Sequence, residues 1–176
     1  MQNPTVTIRS GTTADAALIA EFGAQAFTAA FADDNSPEDM VAYLADAFSP
    51  AKQQVELADP ASQFLIAEVA GAMAGYAHVK AGSTDEGVTG THPIELVRIY
   101  TDPVRIGQGI GKALMTACLG VARQGGHDVL WLGVWENNHR AQAFYQRWGF
   151  EKVGTHVFQL GGDPQTDWIM QRPVNR

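Results

Sequence analysis

A chain of 176 residues, 45% apolar and 18% charged, is long enough to bury a substantial core, and residues 1–176 read as a single domain. Its net charge of −7, with no Lys/Arg cluster, argues against a nucleic-acid surface and suits either a cationic substrate or plain solubility. One cysteine, Cys118, excludes an internal disulfide. No run is long and apolar enough to span a membrane, so no membrane partner is expected. The polar start Met1-Gln2-Asn3-Pro4 does not read as a signal peptide, which makes the cytoplasm the expected compartment.

In chain order, Thr5 to Arg9 alternates as a short strand. Thr12 or Thr13 caps a helix reaching about Phe31, with Leu18, Phe22, Ala26 and Phe27 on its apolar face. Ser36-Pro37-Glu38-Asp39 opens a second helix, carrying Met40, Tyr43, Leu44 and Phe48, and Ser49-Pro50 opens a short third ending near Asp59-Pro60. Phe64–Val69 and Gly75–Lys80 form a hairpin around Ala70-Gly71-Ala72, followed by a polar loop from Ala81 to His92. Pro93–Thr101 is the central strand. The next helix, from Ile110, carries Ala113, Leu114, Ala117 and Val121 on its apolar face and ends at Gly125-Gly126. The nearly continuous apolar run Val129–Val134 predicts a strand buried on both faces. A helix from about Asn138 to Trp148 follows. Strands Glu151–Leu160 and Thr166–Gln171 then flank the turn Gly161-Gly162-Asp163-Pro164. This order predicts a mixed α/β sheet flanked by helices.

Two stretches carry chemistry. The first is Arg98 to Leu114, where Gly107, Gly109 and Gly111 lie between a strand and a helix. Glycines there let a ligand approach bare amides, and the first amides of a helix have no partner within it, so the loop suits phosphate oxygens. A glycine turn before a helix is the simpler alternative. The P-loop is excluded, because three residues, not four, separate Gly107 from Gly111-Lys112, and Ala113 follows. The dinucleotide fingerprint also fails, from either glycine. The second stretch runs from Val134 to Phe150, with Asn138, Ala141, Phe144, Tyr145, Gly149 and Phe150 in register.

Together these resemble the two hallmarks of the GNAT superfamily of acetyl-coenzyme A-dependent N-acetyltransferases. The resemblance implies the GNAT fold, a mixed sheet of about seven strands flanked by helices. It also implies transfer of an acetyl group from acetyl-CoA to a primary amine by direct attack in a ternary complex. Ile99, Tyr100, Thr101, Ile106, Gly107, Gln108, Gly109, Ile110, Gly111, Lys112, Asn138 and Tyr145 would hold the coenzyme. Where the family carries Arg or Gln before the first glycine this chain has Ile106, and Arg105 is the residue that could compensate. Asp33-x-Asn35, Glu38-Asp39, Trp131–Glu136 and Gln165–Met170 are similar to the bacterial polyamine (spermidine/spermine) branch, which would make the acceptor a small cationic amine.

A primary amine near pKa 10 is only about one part in a thousand neutral at pH 7, so a base or a water chain is needed. Glu95 matches the family's frequent glutamate base and is expected to share a strand face with Val97, Ile99 and Thr101; a solvated residue at a strand start is the alternative. The resemblance makes Tyr145 the acid that protonates the departing thiolate, and a backbone amide around Ile99 and Tyr100 the donor to the thioester oxygen. Tyr145 could equally be core, and Asn138 a helix cap. Asp33 and Asp34, between the first two helices, are expected to border the acceptor. Cys118 reads as buried filler, and His78 as a partly exposed strand histidine. The five histidines show no H-x-x-x-H spacing, so no metal is expected. A protein N-terminal or lysine acetyltransferase and a non-catalytic coenzyme-binding module remain rival readings, and self-association as a homodimer stays open.

Overall fold

The computed structural model describes residues 5–175, so the reading of Met1–Pro4 lies outside the described residues. Seven strands, β1 (Val6–Ser10), β2 (Ser62–Val69), β3 (Ala72–Ala81), β4 (Pro93–Thr101), β5 (Val129–Trp135), β6 (Glu151–Leu160) and β7 (Asp163–Pro173), form one sheet in the order β1-β2-β3-β4-β5-β7-β6. Every neighbouring pair is antiparallel except β4 and β5. Five helices accompany them: α1 (Ala16–Phe31), α2 (Pro37–Ala47), α3 (Pro50–Ala58), α4 (Ile110–Gln124) and α5 (His139–Arg147). This is the GNAT fold that the sequence predicts. No helix among the described residues is long and apolar enough to cross a membrane.

Alternation along the strands explains why both faces are covered. Leu65 and Ala67 join Ala77, Val79, Leu96, Leu130 and Leu132 in a core beneath α4 and α5. Phe64 and Ile66, one residue out of step, face the other way and pack with Ile19 of α1 and with Tyr76. Each face then buries apolar surface at roughly 25 cal/mol per Å². The helix starts follow their caps: Ser36 and Ser49 each accept from the amide three residues on, at 3.2 Å, ahead of a proline at the first helical position.

Some expected faces are rotated. On α1, Leu18 is 42% exposed while Ile19 is fully buried. On α4 the buried stripe is Ile110, Leu114, Met115, Cys118, Leu119 and Ala122; Ala117 and Val121 lie at its flank and Ala113 is half-buried. The helix lies across five strands, β1 to β5, and their surface chooses the stripe. Cys118 is core, its thiol pushed by burial up to about 12. His78 is buried rather than partly exposed: its ring stacks on Phe64 at 4.1 Å and Nε2 meets Ser62 Oγ at 2.9 Å. Burial and the nearby cations push its pKa down to about 3, so it is neutral. Asp163-Pro164 belongs to β7 rather than to the turn. Pro164 faces only Gln159 of β6, because β5 pairing stops at Asp167, so its missing N–H breaks no ladder there.

Two irregularities in β4 position the site. The register with β3 passes from His78↔Arg98 to Val79↔Leu96, leaving Val97 as a bulge. The parallel pairing with β5 covers only Pro93–Glu95 against Val129–Trp131. Beyond Glu95 the two strands separate, and the sheet opens as a fork.

Candidate active site

The fork is the wall of a cleft of about 850 Å³, lined by β4 from Glu95 to Thr101, the glycine loop, the end of β5 and α5. From Leu96 onward β4 has a strand on one edge only. The amide of Asp102 bonds the Ala74 carbonyl at 2.9 Å. By the alternation of an antiparallel ladder, Arg98 and Tyr100 therefore direct their amides to β3, while Ile99 and Thr101 direct theirs into the gap. Of the two residues expected to donate to a bound carbonyl, Ile99 is in position; the Tyr100 amide is spent in the ladder.

At one end of the cleft the loop turns on Gly107 and Gly109, both left-handed at φ 87° and 85°, a conformation costly for other residues. A Cβ built on either would meet nothing in the protein, so both keep open space open. Gln108 N–H closes a turn on Arg105 O at 3.1 Å, and Ala113 N–H reaches Gly109 O at 2.9 Å. The amides between, at the start of α4, are left as free donors with the helix dipole behind them. Ile106, Gly107, Gly109, Ile110, Gly111 and Lys112 line the cleft; Gln108 does not. Arg105, held by Asp102 at 3.3 Å, also lines it, with Lys112, Arg140 and Arg147. Four cations and a row of bare amides suit a diphosphate.

On the α5 wall, Asn138 Oδ1 accepts from the Ala141 amide at 3.1 Å, so it caps the helix while lining the cleft. Tyr145 is 9% exposed, its ring edge-on to Phe144 and Phe150. Burial pushes its hydroxyl pKa well above the usual value for tyrosine, with a small further push from Cys118, so the hydroxyl keeps its proton through neutral pH.

At the other end, Glu95 lines the cleft and accepts from Ser83 Oγ at 2.7 Å. It does not share a face with Ile99 and Thr101, and Val97 is the unpaired bulge residue. The bulge shifts parity by one, so Glu95 lies on the face of Arg98 and Tyr100, opposite Ile99. Arg98 is neutralised by Glu56, which takes both guanidinium branches at 2.8 Å. Asp33 and Asp34 are exposed on a single 3₁₀ turn and form no part of the cleft wall. The turn's neighbours face inward instead: Asn35 Oδ1 accepts from Gln165 Nε2 at 2.6 Å, and Asp39 Oδ1 from the Gly162 amide at 2.6 Å.

The acids and bases that the structure adds are Asp167, His156 and Asp85. Asp167 and His156 are directly opposed across β6 and β7, and both line the cleft. His156 Nδ1 lies 2.6 Å from Asp85 Oδ2, and Nε2 lies 3.5 Å from Asp167 Oδ2. Burial raises the Asp167 pKa, and His156 partly offsets that. In the sequence, the only available signal was alternation across a hairpin with a two-glycine turn.

Residues 24–150 match the family model described as Acetyltransferase (GNAT) family. The chain belongs to the GNAT acetyltransferase family. It is 35% identical over 150 residues to an uncharacterized N-acetyltransferase in the pepI 3' region of Lactobacillus delbrueckii subsp. lactis, covering 85% of this chain and 87% of that one. It is 36% identical over 149 residues to the N-alpha-acetyltransferase RimI of Mycobacterium tuberculosis, covering 85% and 80%. In fold it is similar to the PaiA N-acetyltransferase of Thermoplasma acidophilum, solved in complex with coenzyme A, with TM-score 0.76 and 21% identity over 96% and 99% of the two chains.

A GNAT acetyltransferase takes acetyl-CoA as co-substrate, and this cleft fits that molecule. The glycine loop with its cations suits the diphosphate, the open edge of β4 offers amides to an extended arm, and the fork leads between them toward Tyr145. When bound, acetyl-CoA supplies an activated thioester. Ile99, Thr101 and Tyr145 all line the cleft.

Proposed function

We propose that this GNAT enzyme acetylates the terminal primary amine of a slender cationic substrate, with polyamines among the candidates. The observation that carries the reading is the make-up of the acceptor end, where the carboxylates of Glu95 and Asp167 face a cleft walled by Phe31, Tyr43, Trp135 and Phe158. Carboxylates in a half-buried, aromatic-walled site favour an ammonium ion through both ion pairing and cation–π contact, each worth about 1–3 kcal/mol when desolvated. Above this end, the hydrogen bonds of Gln165 to Asn35 and of Gly162 to Asp39 tie the β6–β7 hairpin to the segment after α1 and to the first turn of α2. The tie narrows the approach, which favours a thin chain end over a folded protein loop.

In this reading Tyr145 gives its proton to the departing thiolate, and the amide of Ile99 donates to the carbonyl oxygen as it gains charge. A thiol-release assay over a panel of diamines, polyamines, aminoglycosides and peptides tests it. Slender di- and polyamines should exceed aminoglycosides in kcat/KM at least tenfold. Transfer restricted to aminoglycosides would overturn the reading.

The second reading is an acceptor that is the α-amine of a peptide. It is supported by the 36% identity to the RimI protein of Mycobacterium tuberculosis, named as an N-alpha-acetyltransferase. An extended N-terminus is also thin enough for the tied rims. Turnover of short peptides but not of polyamines would decide for it.

A further inference from the structure

We propose that His156, held by Asp85 and faced by Asp167, is the base that takes the proton from the acceptor ammonium; this rests on the amine-acetyltransferase reading above. The imidazole is flanked on both nitrogens. Asp85 Oδ2 lies 2.6 Å from Nδ1 and Asp167 Oδ2 lies 3.5 Å from Nε2. A carboxylate only accepts, so the contact with Asp85 assigns the hydrogen to Nδ1 and leaves Nε2 of the neutral ring with its lone pair. The 3.5 Å separation is too long for a good hydrogen bond and leaves Nε2 uncommitted.

The surroundings are arranged around that ring. Gly133 of β5 lies directly beneath it: a Cβ there would come within 3.1 Å of Nε2 and 3.3 Å of Asp167 Oδ2. Asp85 comes from the loop between β3 and β4, which packs on β6 where a Cβ on Gly87 would lie only 2.6 Å from the Val153 carbonyl oxygen and one on Gly154 3.1 Å from that of Glu86. The same loop places Ser83, which bonds Glu95 and accepts from the Trp131 indole at 3.2 Å. His156 keeps a side-chain exposure of 32%, enough to exchange a proton with water. The charged groups that face it directly are Asp85 on the loop and Asp167 on β7; Gly133 on β5 adds none, and Glu95 and Arg98 on β4 and Tyr43 on α2 line the same cleft, as do Arg105, Lys112, Arg140 and Arg147.

The chemistry balances. Asp167 holds the ammonium beside Nε2. The N–H bond breaks with its electron pair left on the amine nitrogen, and the proton bonds to the Nε2 lone pair. The resulting imidazolium sits between the carboxylates of Asp85 and Asp167. The amine lone pair then forms the bond to the acetyl carbon as the carbon–sulfur bond breaks toward sulfur. Tyr145 gives its proton to the departing sulfur; the second proton, shed from nitrogen as the amide forms, passes through solvent to the Tyr145 phenolate, and His156 returns the first to solvent.

The test is the pH profile of kcat/KM for the best amine of the panel, with His156→Gln, His156→Ala and Asp85→Asn. Wild type should show an ascending limb of slope one set by His156, since the base works only when unprotonated. In His156→Gln the limb should move up toward the amine's own pKa, with kcat/KM at pH 7 lowered about 10²–10³-fold and the Kd for acetyl-CoA unchanged. Added imidazole should restore activity to His156→Ala. Asp85→Asn, which keeps the ring but frees its tautomer, should lose about tenfold with the same shift. If His156→Gln keeps the wild-type limb, or if Glu95→Gln alone removes it, the proposal is overturned while amine transfer stands. If the folded wild type transfers acetyl to no amine on the panel, the amine reading falls and takes this proposal with it.

Discussion

Replacing Gly109 by Asp puts a carboxylate at the centre of the loop that should hold the coenzyme diphosphate. Folding is little affected: a Cβ at Gly109 would meet nothing, and the left-handed φ of 85° costs Asp about 1 kcal/mol, less than a bulkier residue. Binding should suffer much more. Two unit charges about 5 Å apart repel by about 0.8 kcal/mol in water and about 3 kcal/mol at an effective dielectric near 20. The loop sits at the mouth of the cleft, between those limits, so a loss of about 1.4–2.8 kcal/mol is expected. Calorimetry should then show the acetyl-CoA Kd raised about 10- to 100-fold, with less effect in high salt. Gly109→Ala separates strain from charge and should raise Kd by no more than a few-fold. An unchanged Kd for a folded Gly109→Asp protein would refute the placement of the diphosphate on this loop.

Three further outcomes follow from the same geometry. Tyr145→Phe should lower kcat about 10²-fold with the acetyl-CoA Kd intact, because it removes one proton donor from a ring that otherwise keeps its packing. Since burial raises the tyrosine's pKa, no descending limb from Tyr145 should appear below pH 9 in stopped-flow or steady-state profiles. Asp15 is held down to about 2 by the Arg9 guanidinium, which bonds both its oxygens at 2.9 and 3.0 Å. A lowered carboxylate pKa stabilises the fold above the unfolded value near 3.9 and ceases to do so as pH falls through the folded value. Asp15→Asn should therefore cost about 1 kcal/mol at pH 7, discounted because Arg9 is 40% exposed, and chemical denaturation should show the difference vanish between pH 4 and 2. The double change Asp33→Asn, Asp34→Asn should alter KM for a cationic amine less than twofold, whereas Asp167→Asn should raise it at least fivefold; a reversed order in steady-state kinetics would return the acceptor site to the exposed turn.

The sequence by itself determined the local pieces of this protein. Proline after serine set two helix starts, alternate glycines set the loop before α4, and the spacing from Asn138 to Phe150 set α5 with Tyr145 on its inner face. Those signals act over a few residues, so they are legible one window at a time. What the tertiary structure decided depends on parity and on distance along the chain. A single bulged residue, Val97, moved Glu95 to the opposite face from Ile99, and nothing in the run of β-branched residues marks where a strand will absorb an extra residue. The separation of β4 from β5 after Glu95 is likewise a property of the pair, not of either strand. Asp33 and Asp34 sit in a loop of the right charge, yet backbone geometry turned Asn35 and Asp39 inward instead. Asp85 and His156 are 71 residues apart and meet only because the loop after β3 folds across β6. Helix and strand signals come from neighbours in sequence, whereas a proton path is made of neighbours in space, and packing alone brings those together.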